Sequence, residues 1–164
     1  MNRVFLDKNI LFHYMRKILF EESVPLSSLL IIKNVHAKKL HGCISENAFF
    51  GLINYSIYKL QRDKGMEEKD AENLAKEKIK WLLQGKWEII SLEFEELSKL
   101  VEKSEIPFED FYQYLCAKKA NLELVTHNKK DFEQAAGVII STPTDFLEKM
   151  KKQKILLEKD LLYP

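Results

Sequence analysis

Val4, Phe5 and Leu6 form an uninterrupted apolar run that stops at Asp7 and Lys8. Further short strand candidates, largely apolar, occur at 42–45, 87–90, 122–126 and 138–140. Apolarity without alternation over so few residues is the mark of a strand covered on both faces, as in a parallel sheet. Most of these runs are separated by segments with helical spacing, which predict helices over 9–20, 27–39, 47–62, 67–84, 93–103 and 108–120. A last helix, opened by Pro143 at its first position, is predicted to run to about 153. In the second helix Ser27 and Ser28 are available as caps, and lysines gather at the end. The third is aromatic and aliphatic on several sides and reads as a buried helix. The fourth is amphipathic, with Ala71, Leu74, Ala75, Ile79, Leu82 and Leu83 at helical spacing and charges between. Strands alternating with helices need right-handed crossovers. The order therefore predicts a three-layer α/β/α sandwich around a mainly parallel sheet of about five strands. No repeat or linker divides the 164 residues, which suit one domain over 1–153; the tail 154–164 stays unassigned.

Composition narrows the partners. Only five glycines and four prolines occur, too few for a turn-rich all-β fold. Lysine and arginine (26) nearly cancel aspartate and glutamate (25), so no global basic field exists to hold duplex DNA, and any nucleic-acid contact must come from a local patch. Two cysteines, Cys43 and Cys116, exclude a disulfide scaffold; both read as core residues, and a reducing, cytoplasmic setting is the expectation. No signal peptide is expected from the short first apolar run, and nothing approaches the ~18 apolar residues of a membrane span.

In an open parallel sheet the ligand site lies beyond the carboxyl ends of the strands. The first strand ends at Asp7, with Asn9 two positions on. Ser45-Glu46-Asn47 follows the second, Phe108-Glu109-Asp110 opens the helix before the fourth, and Thr126-His127-Asn128-Lys129-Lys130-Asp131 follows the fourth. Acids and amides thus recur where such a sheet gathers residues on one edge. Clustered carboxylates repel one another and cannot all stay ionised without a cation. Oxygen ligands suit magnesium or manganese, and the chemistry such a site supports is phosphodiester hydrolysis. Each acid alone has a plainer explanation: Asp7 as a helix cap, Glu46 and Asp110 as first-turn acids favoured by the helix dipole. Arg3, Lys8, Lys129 and Lys130 supply local positive charge for a phosphate backbone, and single-stranded or loop RNA is the expected substrate.

The same residues carry a family likeness. Val4-Phe-Leu-Asp-Lys-Asn-Ile-Leu11 resembles the opening of PIN-domain nucleases, in which a strand ends in Asp, then Thr, then Asn and two aliphatics. Ile106-Pro-Phe-Glu-Asp-Phe-Tyr-Gln-Tyr114 resembles the family's acid-bearing helix start, and Leu124-Val-Thr-His-Asn-Lys-Lys-Asp-Phe132 its segment after the fourth strand. Ser141-Thr-Pro-Thr-Asp-Phe-Leu147 is similar to its closing motif. The resemblance spans nearly the whole chain in order. It implies a Mg²⁺- or Mn²⁺-dependent ribonuclease, often the toxin of a bacterial toxin–antitoxin pair. Asp7, Asp110 and Asn128 would then hold the metal, Glu46 or Asp131 would complete the acids, and Asn9 and Asn128 would orient ligands. An antitoxin protein is the expected partner, with a second copy of the chain as a further candidate.

Three departures stand out. Lys8 occupies the place of the family threonine. The second family acid, six residues after Ser45, falls at Gly51, so either Glu46 reaches the cluster in its stead or Glu46 is a plain dipole residue. Asn128 replaces an acid that many members carry. An alternative reading follows: a catalytically weakened RNA- or protein-binding module. Other chemistries fail on particular counts. No GxGxxG or GxxxxGK[ST] occurs, and the histidines at 13, 36, 41 and 127 form no HxxxH or HxH pair that would indicate zinc.

Overall fold

The computed structural model describes residues 2–98 and 106–153. In chain order these form β1 (Asn2–Leu6), α1 (Lys8–Phe20), α2 (Leu26–His36), β2 (Leu40–Ser45), α3 (Glu46–Lys64), α4 (Glu68–Leu82) and β3 (Trp87–Ile90). There follow α5 (Phe94–Ser98), α6 (Phe108–Lys119), β4 (Leu124–Val125), a 3-10 turn (Lys129–Phe132), β5 (Ile140–Ser141) and α7 (Pro143–Lys152). All five strands are parallel, in the order β3-β2-β1-β4-β5. The direction of winding reverses between β1 and β4. A crevice at that switch point is where open α/β sheets bind ligands.

Alternation along the strands explains the layers. Val4, Leu6, Leu40, Ile44 and Val125 point to one side, into a core shared with α1, α2, α3, α4 and α7. Phe5, Cys43 and Leu124 point to the other, where α6 and Phe132 cover them with Tyr114, Cys116 and Ala117. Gly42 must be a glycine for packing reasons. A Cβ there would lie 2.7 Å from the Trp87 ring.

Three local expectations change. Ser45 caps α3 by accepting from the Ala48 N–H, but α2 begins after Pro25 without a side-chain cap. Ser28 is instead wholly buried between two histidines. α3 buries one stripe (Ala48, Leu52, Ser56, Lys59, Leu60), while its Phe50 and Tyr58 are exposed, so it is a one-sided helix. The strands after α6 are two residues each, shorter than the runs at 122–126 and 138–140. The tail 154–164 and the second half of the helix expected over 93–103 lie outside the described residues.

Candidate active site at the switch point

Asp7 is the first residue past β1, at the N-cap position of α1, and it is fully buried. Its side chain makes no capping hydrogen bond. Its Oδ2 instead accepts from Thr126 Oγ1 at 2.7 Å and from Asn9 Nδ2 at 3.2 Å. The Asp7 backbone N–H donates to Val125 O at 3.0 Å, tying the end of β1 to the end of β4. Oδ1 is buried and has no hydrogen-bond partner. A buried carboxylate oxygen left unpaired costs free energy. The helix-cap explanation of Asp7 therefore fails, and an oxygen is held ready for a ligand.

Asp110 lies in the first turn of α6, half-buried. Burial raises its pKa above the ordinary carboxylate range, and the charges of Asp7, Asp131 and Glu109 raise it further, while Lys8 pulls it back. The first turns of α1 and α6 both serve this edge, and their positive dipole ends favour the carboxylates. Lys8 ion-pairs with Glu109, and its backbone N–H donates to Gln113 Oε1 at 2.9 Å. Gln113 is buried, and its Nε2 also lacks a partner.

Asn128 is exposed and precedes the 3-10 turn; its N–H donates to Thr126 Oγ1 at 3.0 Å. Thr126 thus joins Asp7 to the loop that carries Asn128. Asp131 is exposed on that turn, and His127, Asn128, Lys129, Lys130, Asp131 and Glu133 line an open groove. A separate cavity between α1 and α4, over Tyr14 and Trp81, holds none of the site residues. Glu46 is exposed at the start of α3, and its charge is felt at Tyr112 and Cys116 of α6. Among the described residues, no three acids at this edge bring carboxylate oxygens within 4.8 Å of one another, so the cluster is an open one.

Arg3 is not beside these acids. It lies four residues before Asp7 on β1, roughly 13 Å at the rise of a strand, and it is held by Glu88 on β3. Sequence reasoning also passed over Thr126, Gln113 and the Ser28 hydroxyl. Ser28 Oγ lies 2.9 Å from His13 Nδ1 and 2.7 Å from His127 Nε2, within hydrogen-bond distance of both rings. Burial lowers the pKa of both histidines. A threonine closing a strand beside Asn128 was a visible signal; the serine on α2 carried none.

The donor set at the edge is oxygen only: Asp7 Oδ1, the Asp110 carboxylate, the Asn128 amide and Asp131. Asp7 Oδ1 is buried and unpaired, and oxygen donors of this kind suit a hard divalent cation.

A parallel sheet in this order, sandwiched by helices and carrying acids at the β1/β4 switch point, is the fold of a PIN domain. Solved structures share it. The chain aligns with VapBC2 from Rickettsia felis bound to a DNA fragment from their promoter (TM-score 0.60, 19% identity, 85% of this chain and 98% of that one). It also aligns with a toxin-antitoxin complex from Klebsiella pneumoniae (0.53, 18%, 85% and 97%) and with FitAB bound to an IR36 DNA fragment (0.60, 16%, 85% and 94%). The sequence matches no family model and no curated protein.

Proposed function

We propose that this chain is a Mg²⁺- or Mn²⁺-dependent endoribonuclease that cleaves single-stranded or loop RNA and acts as the toxin of a toxin–antitoxin pair. The observation that carries the reading is Asp7 Oδ1, buried and unpartnered, beside an Asp110 whose carboxyl is raised partly by the Asp7 charge. Asp7, Asp110 and Asn128 would hold the ion, with Asp131 on the adjoining turn. When bound, a divalent ion polarises the scissile phosphate, lowers the pKa of an attacking water and neutralises the leaving oxygen. Thr126 and Asn9 fix Asp7 Oδ2, so that Oδ1 keeps one direction. Lys129 and Lys130 flank the groove and attract the phosphate backbone. The antitoxin expectation rests on the fold shared with the toxin-antitoxin complex named above and on the chemistry of the edge, where the Asp7 and Asp110 carboxylates would accept a basic side chain from a partner.

A second reading, a weakened RNA- or protein-binding module, is favoured by Gly51, where the family acid is missing, and by Lys8, whose charge already acts on Asp110. One assay separates the two. Purified wild-type chain incubated with a mixed RNA pool should cleave it only with Mg²⁺ or Mn²⁺, and Asp7→Asn should not. Intact RNA at all ion concentrations would leave the binding module as the function.

A further inference from the structure

The acid edge makes no use of the side chains two to four residues earlier on the same face of the sheet. There Arg3 of β1 pairs in register with His41 of β2, and Cys43 of β2 with Glu88 of β3. His41 and Cys43 stand two apart on one strand and so share a face. One donor atom from each of His41, Cys43 and Glu88 lies within 4.8 Å of the other two. His41 Nε2 is 3.5 Å, and Cys43 Sγ 3.7 Å, from the same atom, Glu88 Oε2. Tetrahedral zinc, with bonds of about 2.0–2.3 Å, sets neighbouring ligand atoms roughly 3.3–3.8 Å apart. The His41–Glu88 and Cys43–Glu88 separations both fall on that edge length.

We propose that His41, Cys43 and Glu88 form a zinc site that clips β2 to the edge strand β3, independent of the acid edge and of the function proposed for it. The ligand chemistry selects the metal. A thiolate and an imidazole favour zinc, whereas the oxygen-only acid edge suits magnesium or manganese. Glu88 is partly exposed and Cys43 fully buried, so the ion enters from the Glu88 side and leaves its fourth position to water. Burial and the Glu88 charge push the Cys43 thiol up to about 11; on binding, sulfur gives its proton to solvent and ligates as thiolate. Arg3 is the competitor. Its Nη2 donates to Glu88 Oε2 at 2.7 Å, and its exposed side chain leaves that oxygen when zinc arrives. Histidine spacing concealed the cluster, because its third ligand comes from a strand 45 residues away.

The test uses the full chain, stripped of metal and titrated with Zn²⁺, then with Co²⁺ as a spectroscopic probe. One equivalent of Zn²⁺ should bind, and Co²⁺ should show a thiolate charge-transfer band. Cys43→Ser should abolish the band and weaken zinc by more than the roughly 10–100-fold typical of losing an outer-shell partner. Glu88→Gln, at a partly exposed position, should also weaken it, and Arg3→Gln should tighten it. In the wild type, Zn²⁺ should protect one of the two thiols from alkylation. Cys116→Ser and Asp7→Asn should leave zinc binding unchanged. No bound zinc, a band that survives Cys43→Ser, or a band lost with Cys116→Ser would overturn the site.

Discussion

Thr126 Oγ1 donates to Asp7 Oδ2 at 2.7 Å across 119 residues of sequence, and both side chains are fully buried. This bond spans the two central strands at the point where the sheet reverses its winding. Thr126→Val keeps the shape and removes the donor, leaving Asp7 with Asn9 alone on that oxygen. The metal-free protein should lose ~1–3 kcal/mol of stability, the cost of an undersatisfied buried acceptor. Thr126→Ser should recover most of it. Urea denaturation of the three proteins checks the order.

Asp110→Asn should have the opposite sign. Burial and Asp7 raise the Asp110 pKa, so the native state favours its protonated form. Stability is then highest below the ordinary carboxylate pKa and falls as pH rises through the raised value. Removing the charge should stabilise the metal-free protein at pH 7 by on the order of 1 kcal/mol. The same change removes a ligand, so Mn²⁺ should no longer raise the melting temperature, and RNA cleavage should fall. A first-turn acid without a ligand role would give a small loss of stability and an unchanged response to Mn²⁺. Melting curves with and without the ion distinguish these.

Lys8→Thr should strengthen the response to Mn²⁺. The Lys8 ammonium ion-pairs with Glu109 and lowers the Asp110 pKa, so it competes with a divalent ion for the same charge. Its loss should therefore tighten Mn²⁺ binding. Isothermal titration reads the affinity directly. A weaker Mn²⁺ affinity in the variant would show that Lys8 supports the ion and does not oppose it.

Gly51→Glu asks whether the missing acid can be restored. A Cβ at Gly51 would lie 3.9 Å from the Phe12 ring tip, one turn along α1 from Asn9, in ordinary contact and without a clash. Replacing a mid-helix glycine should add about 0.5–1 kcal/mol of stability. Gly51→Ala reports that backbone effect alone. Gly51→Glu should exceed it by raising both Mn²⁺ affinity and cleavage rate; two variants that behave identically would place position 51 outside the site.

The layered architecture was legible in the sequence because it depends on period alone. A continuous apolar run such as Val4–Leu6 has no solvent face, and helices must cover it on both sides. The positions past the strand ends were legible for a related reason: strands end where apolarity ends, and Asp7 and Asn128 follow such ends. Local composition misjudged exposure, however. The aromatic residues of α3 suggested a buried helix, yet only one stripe faces the core, because a helix on the outer layer of a sandwich touches neighbours on one side. Arg3 was adjacent to Asp7 in sequence but is drawn to Glu88, since strand extension carries it away from the edge. Tertiary structure alone brought Thr126 to Asp7, Ser28 between His13 and His127, and Glu88 to His41 and Cys43. Hydrophobic periodicity prescribes which face of an element is buried, but partners between elements follow from the strand order β3-β2-β1-β4-β5 and its register. No spacing within a single segment encodes that order.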